Sequence, residues 1–211
     1  MLRIYDDMKI CFDNVFEPSL PANKEPCDLY LFNYHRTVFF HRDLGISYVV
    51  KGAKELSYRT NTPVILYAKM DVEGEISRSA IVVAGGRIIG VADSLSERGD
   101  ERKALRVFRF GKVKFGVVVG RDPICAGIDN AFAAGAVGIL HVTSDPFDLA
   151  YCRAYRAHNV LTGAGYFGLF ADCAVFVDER IRLFGKSGTE EVAFQKQDRA
   201  CCGNFLKISF D

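Results

Sequence analysis

Between Lys114 and Asp122 the chain reads Lys-Phe-Gly-Val-Val-Val-Gly-Arg-Asp. A continuous β-branched run of this kind suits a strand covered on both faces. The glycine and charged residues that follow, with Pro123 behind them, predict a sharp turn into a helix. Strand, turn and helix in this order form the layout of a nucleophile elbow, which confines the chain to folds in which helices cover a sheet. A nucleophile is expected at residue 120. Gly120 stands there and has no side chain to attack with.

The rest of the chain supplies many short runs rich in Val, Ile and Phe, the composition of strands. They cover Met8–Phe12, Asp28–Phe32, Val64–Met70, Ser79–Val83, Arg87–Ala92, Leu105–Phe110, Val113–Val119 and Val137–Val142. Further runs cover Tyr166–Ala171, Ala174–Val177, Arg180–Leu183, Glu191–Gln195 and Phe205–Ser209. Gly85-Gly86 predicts a two-residue hairpin, and Asp178-Glu179 predicts another. Three helices are expected. Gly45–Thr60 ends before Pro63, Pro123–Ala134 stops at Gly135, and Phe147–Leu161 follows capping candidates at Ser144 and Asp145. Strand–helix–strand units mixed with hairpins predict an α/β chain with two facing mixed sheets and helices outside. No linker or repeat divides residues 1–211, so a single domain is expected. About fifteen residues separate the first two strands, and Pro18, Pro21 and Pro26 among them exclude a regular crossover helix.

Composition removes several function classes. Hydrophobic residues make up 49% of the chain, too many for disorder. A net charge of +1 without clustered Lys or Arg argues against nucleic acid as a partner. No apolar run reaches a membrane span, and the acidic Tyr5-Asp6-Asp7 opening does not suit a signal peptide. Seven cysteines without regular spacing, of which Cys11, Cys27, Cys125 and Cys173 lie in apolar surroundings, fit a reduced cytoplasmic protein. Cys201-Cys202 is the only close pair, and no spacing suggests zinc.

Taken together, these segments resemble the nitrilase, or carbon–nitrogen hydrolase, superfamily. The Lys114–Asp122 run is similar to its "KIGVLICYD" motif, and Ala133–Leu140 to the "ALAGADLLLV" segment after it. Ser79–Val91 resembles its "NTAVVIDPDGEILGVY" hairpin, Asp28–Phe32 its "DLIVFPE" strand up to the proline, and Arg153–Asn159 its Arg-Ala-x-Glu-Asn helix. Ala174–Gln195 fits its closing hairpin, so the resemblance covers roughly residues 8–195. It implies an α-β-β-α sandwich of two mixed β-sheets with outer helices. It also implies a homodimer built through the helices at 123–134 and 147–161, where Ala131, Ala133 and Ala134 permit close packing and Tyr151 and Tyr155 supply contact area. The family's chemistry uses a Cys nucleophile, a Glu base and a Lys that faces the oxyanion, a set that works only together. At the matching positions stand Gly120, Tyr34 and Ser94, so all three roles are vacant. Two further departures agree: only about twenty residues separate Ser94 from Lys114, and the Pro-rich stretch replaces the first long helix. The loss of that helix predicts an outer face left exposed or covered by a partner.

Substitutes for the missing groups are weak. Cys125 and Cys152 read better as core cysteines than as relocated nucleophiles. His35 follows Tyr34 and is a pocket candidate, although a lone imidazole is more often hydrogen-bonded structure. Arg121, Asp122, His141, Thr143 and Asp145 sit at predicted strand ends, where ligands gather in α/β folds. Asp122, His141 and Asp145 lack ligand spacing, so no metal is expected, and no cofactor is implied. Gly163-Ala164-Gly165 precedes a strand and reads as a helix cap and turn, not a phosphate loop. The expectation is a catalytically inactive carbon–nitrogen hydrolase relative that binds a small amide or carboxylate or serves in assembly. The alternative is an active hydrolase of amides or nitriles with Cys125, His35 or Asp122 converging in the pocket.

Overall fold

The computed structural model describes residues 5–17, 26–40, 48–72, 74–94, 106–110, 113–120, 135–162 and 165–195. The helix expected at 123–134, Cys125, Arg121, Asp122 and the strand expected at Phe205–Ser209 lie outside the described residues, as does the side chain of His35.

Two six-stranded mixed sheets face each other. The first has β1 (Tyr5–Asp13), β2 (Leu29–Phe40), β3 (Val64–Val72), β4 (Glu75–Ala84), β5 (Arg87–Asp93) and β12 (Ser187–Gln195), in the order β12-β1-β2-β3-β4-β5. The second has β6 (Arg106–Phe110), β7 (Val113–Val119), β8 (Gly138–Val142), β9 (Gly165–Leu169), β10 (Ala174–Val177) and β11 (Ile181–Phe184), in the order β11-β10-β9-β8-β7-β6. Each sheet repeats one pattern. An antiparallel edge pair leads into two parallel pairs, β1-β2-β3 in one sheet and β7-β8-β9 in the other, and two antiparallel pairs follow. Helix α1 (Tyr48–Thr60) links β2 to β3, and α2 (Leu149–Thr162) links β8 to β9 at the equivalent place. This is the expected nitrilase-like α-β-β-α sandwich.

Side-chain alternation places the core. Ile10, Phe12, Leu29, Leu31, Ile65, Tyr67, Ala80 and Val82 of the first sheet meet Val117, Val119, Leu140, Val142, Phe167 and Phe176 of the second. The intervening residues face outward under the helices. Tyr30, Phe32, Leu66 and Ile81 pack with Val49, Val50 and Ala53 of α1, and Val118, Ile139 and Tyr166 pack with Cys152 and Tyr155 of α2. Val117, Val118, Val119, Ile139 and Leu140 are all buried in interior strands, as the β-branched runs predicted. Phe194 of β12 crosses the interface into a hollow made by two glycines. A Cβ on Gly138 or Gly165 would stand 2.6 or 2.8 Å from the Phe194 ring.

Local signals explain the element ends. Asn61, with φ of 53°, and Pro63 close α1. Gly85 and Gly86 both take positive φ and form the expected tight hairpin. The second hairpin turns on three residues, not two, with the Asp178 N–H donating to the Arg180 carbonyl. Asp148 caps α2 in place of Ser144 or Asp145, its Oδ1 accepting from the N–H groups of Ala150 and Tyr151. The outer face beside β1 and β2 is not bare. Cys11, Tyr30 and Phe32 are buried there, and Phe16 folds back on Phe32 with ring centroids 5.0 Å apart. Residues of the connecting segment thus take part of the place foreseen for a helix or partner.

Candidate functional site

The site is built around Gly120, at the end of β7. Its φ is +65°, the left-handed conformation of a sharp turn. Its N–H donates to the Val142 carbonyl at 3.0 Å, and its own carbonyl lies 2.7 Å from His141 Nε2. A carbonyl can only accept, so Nε2 carries the proton and His141 Nδ1 accepts from the Tyr166 hydroxyl at 2.7 Å. His141 is 1% exposed, with Tyr151 stacked on it and Phe170 edge-on. Nε2 holds the elbow carbonyl and Nδ1 holds Tyr166, so both nitrogens are committed and the imidazole is kept from working as a base. Burial pushes the Tyr166 phenol well above its ordinary pKa, so that it stays a neutral donor.

On the inter-sheet side, a Cβ at residue 120 would lie 3.4 Å from Arg78 Cδ, 3.7 Å from Arg78 Nη1 and 3.7 Å from Ser94 Oγ. Gly120 and Ser94 therefore converge, as the resemblance implies. Arg78 fills the space in front of them. Its Nη1 lies 3.5 Å from Asp145 Oδ2, in an ion pair whose side chains are 31% and 22% exposed. Two more bridges join the sheets at this end. Asn33 Nδ2 donates to the Thr143 carbonyl and to Asn14 Oδ1, each at 2.9 Å, and the Tyr67 hydroxyl pairs with Ser144 Oγ at 3.0 Å. Desolvation raises the Tyr67 phenol, so this contact too is between neutral groups.

Tyr34 is not part of this cluster. It packs against the buried cluster on the outer face of the first sheet, on the same side of β2 as Tyr30 and Phe32. Alternation turns Asn33 inward, so Asn33 occupies the level at which a base would stand. The cause is local. A proline at 33 would end the ladder. With Asn33 in that place, β2 stays paired to β3 through Tyr34↔Ala68 and resumes after a bulge at Thr37↔Lys69.

A cleft of about 510 Å³ opens on the other side of Gly120. His141, Thr143 and Asp145 line it, so the structure gathers three of the residues expected at strand ends. Phe147, Tyr151 and Phe170 form its aromatic wall, and Asp148 stands at the start of α2. Thr143 Oγ1 donates to Asp145 Oδ2 at 3.2 Å and accepts from the Asp145 N–H at 3.0 Å. Among the described residues no group of three or more His, Cys, Asp and Glu is placed to hold a metal ion. Cys152 is fully buried, and desolvation pushes its thiol up to about 12, so it is inert as a nucleophile. The family spacing did not single out Arg78 or Asn33. The signal was the period of two, which continues inward from Val82 and Ala80 to Arg78 and from Leu29 and Leu31 to Asn33.

No protein-family model matches the chain, and no curated protein matches it. Solved structures do. A mutant amidase from Nesterenkonia sp. AN1 in complex with butyramide superposes with a TM-score of 0.62 at 14% identity, covering 94% of this chain and 97% of that one. Another mutant of that amidase, which carries the acetamide moiety of fluoroacetamide on its active site cysteine, gives 0.62 at 13% identity, with 93% and 95% covered. That amidase is from the nitrilase superfamily. A glutamine-dependent NAD+ synthetase from Acinetobacter baumannii gives 0.60 at 14% identity over 93% of this chain, which spans about half (46%) of the synthetase. At these identities the likeness is one of fold, and the fold is that of the carbon–nitrogen hydrolases.

Proposed function

We propose that the chain is a non-catalytic protein on the carbon–nitrogen hydrolase fold, one that holds a small molecule at the elbow without cleaving it. The carrying observation is the content of the inter-sheet mouth, where Gly120 faces Arg78 and Ser94 and the Arg78 guanidinium pairs with Asp145. Acyl transfer needs a thiolate, a carboxylate to take its proton and a cation at the oxyanion. Gly120 offers no thiol, Asn33 and Ser94 are neutral, and the guanidinium of Arg78 is engaged by Asp145. The alternative of relocated chemistry through the side chains of Cys125, His35 or Asp122 falls outside the described residues; within them, His141 has both ring nitrogens committed and Cys152 is buried.

The free thiols of Cys11, Cys27, Cys152 and Cys173 are in keeping with a reducing, cytoplasmic setting. No helix among the described residues is long and apolar enough to cross a membrane. The homodimer through the outer face of the second sheet remains part of this reading, with one revision. Tyr155 is 3% exposed and stacks on Tyr166 at 4.0 Å, so contact area on α2 would come from Leu149, Arg153 and Arg156.

The test is hydrolysis of butyramide, glutamine and short aliphatic nitriles, followed as ammonia release, with and without prior thiol alkylation. The expected result is release at the rate of the buffer blank. Turnover that scales with protein concentration refutes the reading, and its loss on alkylation would locate the nucleophile at a cysteine.

A further inference from the structure

The cleft beside Gly120 limits what it can take. Several of its polar groups are already engaged. His141 spends both ring nitrogens, and Thr143 donates to Asp145 and accepts from it. The charged side chains of the described lining are two carboxylates, Asp145 and Asp148. Asp148 Oδ1 accepts from the N–H groups of Ala150 and Tyr151, so two of the first donors of α2 are already engaged. Part of the described lining is aromatic: Phe147 lies edge-on to Phe170 at 5.6 Å, and Tyr151 also lines the cleft. Ring faces attract cations and carboxylates accept from them. Arg78 already shows the preference, since its guanidinium approaches Asp145 from the inter-sheet side.

We propose that this cleft binds a small organic cation, an alkylammonium or alkylguanidinium whose charged head lies between Asp145 and Asp148 and whose alkyl body lies against Phe147, Tyr151 and Phe170. This deepens the reading of a non-cleaving binding protein and rests on it. It departs from the amide or carboxylate ligand first expected, because a carboxylate guest would face the two carboxylates of the described lining. A volume of about 510 Å³ admits a guest of several heavy atoms.

Three probes of nearly equal size separate the possibilities by calorimetry: n-butylammonium, butyramide and butyrate. The expected order of affinity is butylammonium, then butyramide, then butyrate. Raising salt should weaken only the first. Asp148→Asn keeps the α2 cap, since Asn caps as well as Asp, and should lower butylammonium affinity by about threefold while leaving butyramide unchanged. Butyrate binding as tight as butylammonium overturns the proposal. So does an Asp148→Asn variant with unaltered butylammonium affinity, or the absence of heat from butylammonium at about 10 mM, a concentration that would fill even a site of roughly millimolar Kd. Turnover of butyramide would instead sink the non-catalytic reading while leaving the charge preference to be judged by the other two probes.

Discussion

Restoring a cysteine at the elbow, Gly120→Cys, separates the cost of the scaffold from the absence of the chemistry. Space does not forbid the new side chain. The nearest atoms to its Cβ, Arg78 Cδ at 3.4 Å and Arg78 Nη1 and Ser94 Oγ at 3.7 Å, are at ordinary contact distance. The penalty is in the backbone, because Gly120 has φ of +65°, where an L-residue costs about 1–2 kcal/mol. Urea unfolding of the variant should show a loss in that range with an unchanged m-value. The thiol would stand beside the Arg78 guanidinium, and a neighbouring cation favours the thiolate. Alkylation at residue 120, followed by mass spectrometry at pH 7, should therefore be about tenfold faster than in the double variant that also carries Arg78→Gln, the equivalent of one pKa unit. Turnover should stay at the blank, since Asn33 and Ser94 supply neither base nor oxyanion cation. Adding Tyr34→Glu would not help, as that side chain packs on the outer face. The matching repair is Asn33→Glu with Ser94→Lys. An unchanged or raised stability would refute the positive φ. A loss above about 4 kcal/mol would mean that the space is blocked. Alkylation indifferent to Arg78 would show that the guanidinium does not front the elbow.

Other perturbations follow from the same geometry. Gly138→Ala would set a Cβ 2.6 Å from the Phe194 ring and 2.7 Å from the Gly165 carbonyl oxygen. It should cost about 3 kcal/mol in chemical denaturation. Tyr166→Phe strands His141 Nδ1 without its donor and should cost about 1–3 kcal/mol, measured the same way, with little change in near-native circular dichroism. Desolvation raises Cys152 from 9.0 to about 12 and also lifts Tyr166. The unfolded chain therefore releases these protons first as pH rises. Stability should be full below about pH 9 and fall as pH climbs toward 12, and Cys152→Ala should flatten part of that slope. A steeper slope in the variant would contradict the assignment.

Much of the fold was legible because its signals are local. Val117–Val119 and Ile139–Leu140 announce interior strands by composition, and Gly85-Gly86 announces its turn by the backbone conformations that glycine permits. Strand ends were harder to read. β2 was expected to stop at Phe32 and runs on to Phe40. Asn33 lacks the ring that would stop pairing, and the bulge after Tyr34 absorbs the polar stretch. β12 begins at Ser187 rather than Glu191 because β1 supplies a ladder that a half-exposed polar segment does not advertise. The site divides in the same way. Ser94 and Gly120 were placed by motif spacing. Tyr34 was misplaced because the motif has a proline where this chain has Asn33, and with Asn33 the strand runs on and turns Tyr34 to the outer face. Arg78 was visible only to an alternation argument extended to the end of its strand, and Arg78–Asp145 is a contact between sheets that no sequence window contains.

The seating of Phe194 between Gly138 and Gly165 has a consequence for the order in which the molecule can be made. β12 is the neighbour of β1, so strands from opposite ends of the element order complete one sheet, and the ring that β12 carries keys that sheet to the other. While a chain emerges from the ribosome, β1 has only its parallel partner β2, and parallel pairing closes slowly because its loops must be ordered first. The second sheet can assemble in the meantime, leaving its two-glycine hollow open. Arrival of residues 187–195 then closes the edge and sets the register of the two sheets in one step. Until then the hollow and the free edge of β1 are the places most open to capture by another chain.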